Sequence, residues 1–157
     1  MRIDELSFWN GKEYFVTRPE LLASIFAAII NTQEARLRKP GLSIASRLRR
    51  EFCSEGWARK IPVSEGKMSS ECFDLFRARV AVAIEFSDAT SVYREFACFL
   101  AAYKANRIDV GILITNAREK IDRCKLRSGR PNVESVRGEL GQLKSTLTVP
   151  IWIIGLK

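Results

Sequence analysis

From residue 79 to 88 the chain reads RVAVAIEFSD, in which Val80, Val82, Ile84 and Phe86 alternate with Ala81, Ala83, Glu85 and Ser87. A period of two predicts a β-strand with one apolar face. Just upstream, ECFDLF (71–76) has the same character, and only Arg77, Ala78 and Arg79 separate the two runs. So short a connection predicts an antiparallel hairpin. WARKIPV (57–63) reads as a strand before it, with 64–70 as a loop between. IDVGILIT (108–115) is apolar throughout, as expected of a central strand buried on both faces, and VPIWIIG (149–155) is a last apolar strand.

The helical period appears elsewhere. Arg18-Pro19-Glu20 is a helix start, with proline in the first turn and an acid beside it. Leu21, Leu22, Ile25, Ile29 and Ile30 then form a stripe that ends before Pro40-Gly41. Ser43 is placed to cap a basic helix that Gly56 would end. Asp88 or Thr90 begins a helix that would bury Val92, Phe96, Phe99, Leu100 and Tyr103, and Asn132 begins another over VESVRGELGQLKSTL. The predicted order is α-α-β-β-β-α-β-α-β, an α/β fold with a mixed central sheet and helices on both faces. With no repeat, low-complexity tract or linker, residues 1–157 read as one domain.

Composition narrows the chemistry. The chain contains no histidine, and its four cysteines, Cys53, Cys72, Cys98 and Cys124, form no C-x-x-C pair. Zinc sites and His-dependent triads are therefore disfavoured, and the cysteines read as buried thiols. The longest apolar run, 21–30, is too short to span a bilayer, and the first residues, MRIDELSFWNG, lack the apolar core of a signal peptide. A cytoplasmic protein with no membrane partner is the expectation. Twenty-six Lys and Arg against 18 Asp and Glu leave a net charge of +8, which favours a polyanionic partner such as nucleic acid.

Carboxylates are left to carry any catalysis, with a hard metal ion in support. A hairpin turning near Ala78 would set Asp74 across from Val82 and Ala83, so that Asp74, position 83 and Glu85 share one patch. Two carboxylates so placed suit Mg²⁺, which prefers oxygen ligands and lowers the pKa of a bound water. The plainer alternative pairs Asp74 with Arg77 or Arg79 and leaves Glu85 in solvent.

The passages FWNGKEY, EGWARKIPV, FDLFRARVAVAIEFSDATSVYREF, IDVGILIT and VPIWIIGL, in this order, resemble the PD-(D/E)xK nucleases, specifically restriction endonucleases of the BglII and BamHI kind. The resemblance implies a Mg²⁺-dependent, homodimeric enzyme that cuts double-stranded DNA at a short palindrome. It implies that Asp74 is the first acid and Glu85 the third motif residue, with the Ile84 backbone carbonyl completing the metal shell. The middle acid falls on Ala83, which has no oxygen to offer. Either an acid was substituted there, or it was lost naturally and left a non-catalytic DNA-binding or assembly module. A register shifted by two would instead make Glu85 the middle acid and put Ser87 in the lysine position. By the same resemblance Glu20 or Glu34, on the first helix, would support the site through water.

Two basic clusters would meet DNA. The first comprises Arg36, Arg38, Lys39, Arg47, Arg49, Arg50, Arg59 and Lys60; the second comprises Arg118, Lys120, Arg123, Lys125, Arg127 and Arg130. They would supply salt-dependent phosphate contacts, and some arginines would read guanine edges. The long loop 118–132 is the candidate for base recognition, and Arg94, just after the acidic strand, is a candidate phosphate contact. The stripe at 21–30 or the helix from Ser91 is a candidate dimer face.

Overall fold

Apolar faces on both sides of one sheet organise the molecule. The computed structural model describes residues 3–38, 42–62, 72–118 and 129–157. Among these residues six strands, β1 (Ile3–Phe8), β2 (Ala58–Pro62), β3 (Cys72–Arg77), β4 (Val80–Ile84), β5 (Val110–Asn116) and β6 (Ile151–Leu156), lie in the order β1-β6-β5-β4-β3-β2. The central β4, β5 and β6 run parallel, while β1, β3 and β2 are antiparallel to their neighbours. Among the described residues four helices cover the sheet: α1 (Pro19–Arg38), α2 (Ile44–Ser54), α3 (Ala89–Lys104) and α4 (Val133–Leu143).

Alternation along the central strands divides the core in two. Val80, Val82 and Ile84 pack with Ile112, Trp152 and the buried residues of α1 and α2. Ala81 and Ala83 face the other way, among Val92, Phe96 and Phe99 of α3 and Val136 and Leu140 of α4. Both faces of β4 are therefore buried, whereas the alternation of Val and Ile with Ala suggested only one apolar face. Gly111 lies under the Phe99 ring, where a Cβ would stand 2.7 Å from ring carbons. That close approach explains a glycine in a central strand.

The helix caps follow the residues chosen from sequence. Ser43 accepts from Ser46 N, Asp88 accepts from Thr90 N, and Asn132 forms a reciprocal capping box with Ser135. Gly56 follows α2 with φ of +84°. The predicted element order needs one correction. Ile3–Phe8, read only as the opening of the chain, is an edge strand pairing antiparallel with β6 from Ile3↔Leu156 to Phe8↔Ile151. Its mixed sequence IDELSF has no clean period, because an edge strand is only partly buried. In α3, Tyr103 is exposed rather than buried. The loop predicted at 64–70 lies outside the described residues, and no described helix is long and apolar enough to cross a membrane.

Candidate active site

A two-residue turn sets the register on which the site depends. Ala78 and Arg79 both take left-handed backbone angles, φ of +47° and +65°, and pair Arg77 with Val80, Phe76 with Ala81 and Leu75 with Val82. Asp74 and Ala83 are the next positions along, and there the two strands part. Leu75 packs on the α1/α2 side, yet Phe73, two residues earlier, stacks on Phe99 on the α3/α4 side. Strict alternation would keep both on one face, so β3 turns over at Asp74. On the neighbouring strand Lys60, the residue between the pairs Arg59↔Leu75 and Ile61↔Phe73, has φ of +53°.

This turnover aims the Asp74 carboxylate into the gap between strands. Its Oδ2 accepts from Ile84 N at 2.8 Å, and its Oδ1 accepts from Arg49 Nε at 2.7 Å. The charge partner of Asp74 is thus an arginine of α2. Arg77 donates to Glu55 O and Arg79 to Asp109, so neither expected partner is used.

Glu85 lies just beyond β4, which ends at Ile84 rather than continuing to Ser87. Its backbone N–H still extends the sheet by donating to Ile114 O, 2.9 Å away. Its Oε1 accepts from Ser87 N, Ser87 Oγ and Asp88 N, so the carboxylate closes the turn leading into α3. Between the two acids Ala83 is 1% exposed, its methyl group turned toward α3.

A third carboxylate joins this corner. Glu95 of α3, its side chain 14% exposed, is paired with its neighbour Arg94 at 3.0 Å. Burial pushes its pKa up, Arg94 opposes that rise, and the negative charges of Asp74 and Glu85 add to it. Glu95 was not singled out from sequence. The available signal was its helical spacing: Val92, Phe96 and Phe99 fix which side of α3 meets the sheet, and Glu95 falls on the border of that side.

The residues present do not fit a divalent ion as the chain stands. Position 83 offers no oxygen, Asp74 is engaged at both oxygens, and no group of three His, Cys, Asp or Glu among the described residues is placed to hold a metal.

The family model for restriction endonuclease BglII/BglIII matches residues 3–156. The chain belongs to that family. The crystal structure of restriction endonuclease BglII complexed with a DNA 16-mer superposes with a TM-score of 0.64 at 18% identity, covering 100% of this chain and 78% of that one. Free BglII gives 0.59 at 18% identity, covering 100% and 80%. No curated protein matches. The chain is accordingly a member of a nuclease family, with the BglII fold.

Against this BglII-like frame the other candidate residues are dispersed. Glu20 and Glu34 are both exposed on α1, which packs on the opposite side of the sheet from Glu95. Arg94 is 59% exposed and holds Glu95. Ser91 donates to Asp88 Oδ2 and supports the helix start. Arg118 lines a cavity of about 300 Å³ with Asp4, Glu5, Glu134 and Arg137, beside the edge strand. Arg130 is exposed just before α4. Lys120, Arg123, Lys125 and Arg127 lie outside the described residues, as does Lys39 of the first cluster. Of the stripe at 21–30, Leu21, Ile25 and Ile29 are core, and Ile30 is exposed.

Proposed function

We propose that this chain is a restriction endonuclease of the PD-(D/E)xK type that binds double-stranded DNA as a homodimer at a short palindrome in the cytoplasm, and that Ala83 disables its Mg²⁺ site. The observation carrying this reading is the placement of Asp74 and Glu85 where β3 and β4 part, with Ala83 between them on the strand. Family membership and the likeness to BglII support DNA as substrate. A two-fold dimer suits a palindromic site because the symmetry of the protein mirrors that of the DNA.

A second reading is a non-catalytic DNA-binding module on the same fold. The Arg49–Asp74 pair favours it, since a cation of the protein already holds the first acid. One experiment separates the two. Ala83→Glu with Mg²⁺ and a varied duplex library should give discrete fragments on the first reading. Intact DNA throughout, from a folded variant that binds duplex, would leave the second.

A further inference from the structure

We propose that Arg49 takes the place of the divalent cation, making the Asp74 corner a metal-independent seat for a DNA phosphate. The inference rests on the DNA-binding reading above and is independent of whether cleavage is ever restored. The argument begins with charge. With an acid at position 83, three carboxylates would meet at Asp74, 83 and Glu85, a load matched to a doubly charged ion. Alanine removes one negative charge. A single guanidinium, ionised at any physiological pH, then balances Asp74.

The geometry agrees. Arg49 Nε is anchored on Asp74 Oδ1 at 2.7 Å, and its two Nη groups make no hydrogen bond among the described residues. Nε fixes the plane of the guanidinium, and the free Nη groups present a preorganised fork of the kind that takes phosphate oxygens in pairs. Arg49 and Asp74 are 27% and 26% exposed, so the corner is open to a ligand. Two further basic residues lie beside it: Arg59 and the left-handed Lys60, both exposed, sit on β2 along the β3 segment that carries Asp74. The other two carboxylates are engaged: three donors of the 87–88 turn hold Glu85 Oε1, and Glu95 is paired with Arg94. An anion arriving here meets an arginine rather than a bare pair of acids.

The test is duplex binding by fluorescence anisotropy over a salt series, in metal-free buffer and with Ca²⁺ at matched ionic strength. The parent should bind equally well in both. Arg49→Gln should bind about tenfold more weakly without metal, with a log–log salt slope shallower by about 0.9, one phosphate contact. Arg49→Lys should keep the parent slope and lose part of the affinity, since the charge remains and the fork does not. Lys104→Gln, at the far end of α3, controls for loss of a charge as such. A parent that needs Ca²⁺ to bind, or an Arg49→Gln variant with parental affinity and slope, overturns the proposal. Absence of any duplex binding by the parent at low salt overturns it together with the DNA-binding reading, a distinguishable result.

Discussion

Placing a carboxylate at position 83 should make the fold depend on a divalent ion. Ala83 is 1% exposed, opposite Asp74 one step past the Leu75↔Val82 pair, and two residues before Glu85. Cross-strand partners have Cβ atoms about 5 Å apart, and diagonal neighbours about 7 Å. Like charges at these separations repel by roughly 2–3 kcal/mol each at an effective dielectric constant of about 20. A glutamate at 83 would face Asp74 and Glu85, while the Arg49 charge offsets one of these repulsions. A net cost of about 3 kcal/mol follows. For a chain of this size 1 kcal/mol shifts Tm by about 2–4 °C, so Ala83→Glu should melt roughly 10 °C below the parent in metal-free buffer. Binding one Mg²⁺ at about 100 times its Kd returns about 2.7 kcal/mol, most of the deficit. The assay is a thermal melt of both proteins with and without Mg²⁺ at matched ionic strength. The parent should be indifferent to the ion and the variant rescued. A variant that melts with the parent would show that residue 83 is not among the acids. One that melts low and ignores Mg²⁺ would show that these carboxylates do not form a cation site.

Two further outcomes test the packing and charge around the site. Glu95 has a folded pKa raised above its ordinary value of 4.5 by burial first, so its stabilising effect is present below that value and is lost as pH rises through the folded pKa. Glu95→Gln should therefore gain on the parent as pH increases across that window, read as the difference between their urea midpoints; a constant difference would refute the assignment. Gly111→Ala would drive a methyl to within 2.7 Å of the Phe99 ring and should cost about 1–3 kcal/mol in denaturant unfolding, an unchanged midpoint counting against the packing.

Much of this molecule is local chemistry, and local chemistry is legible in a sequence. The capping side chains of Ser43, Asp88 and Asn132, the short hairpin turn and the apolar run of β5 follow from the types and spacing of adjacent residues. The hairpin alone placed Asp74 across from position 83, because a two-residue turn leaves little freedom of register. The pairing of β1 with β6 escaped the pattern, since its stabilisation comes from a strand nearly 150 residues away rather than from its own period. The site divides in the same way. Asp74, Ala83 and Glu85 stand out along the chain as candidates, but what engages the two acids does not. Arg49 reaches Asp74 from α2, and Glu95 reaches the same corner from α3. Both contacts exist only because β3 turns over at Asp74 and the two helices pack on opposite faces of the sheet. Sequence spacing therefore determined which carboxylates meet at the end of the hairpin. Tertiary packing decided which cation pairs with Asp74, because an ion pair across layers depends on distance in space and leaves no period in the chain.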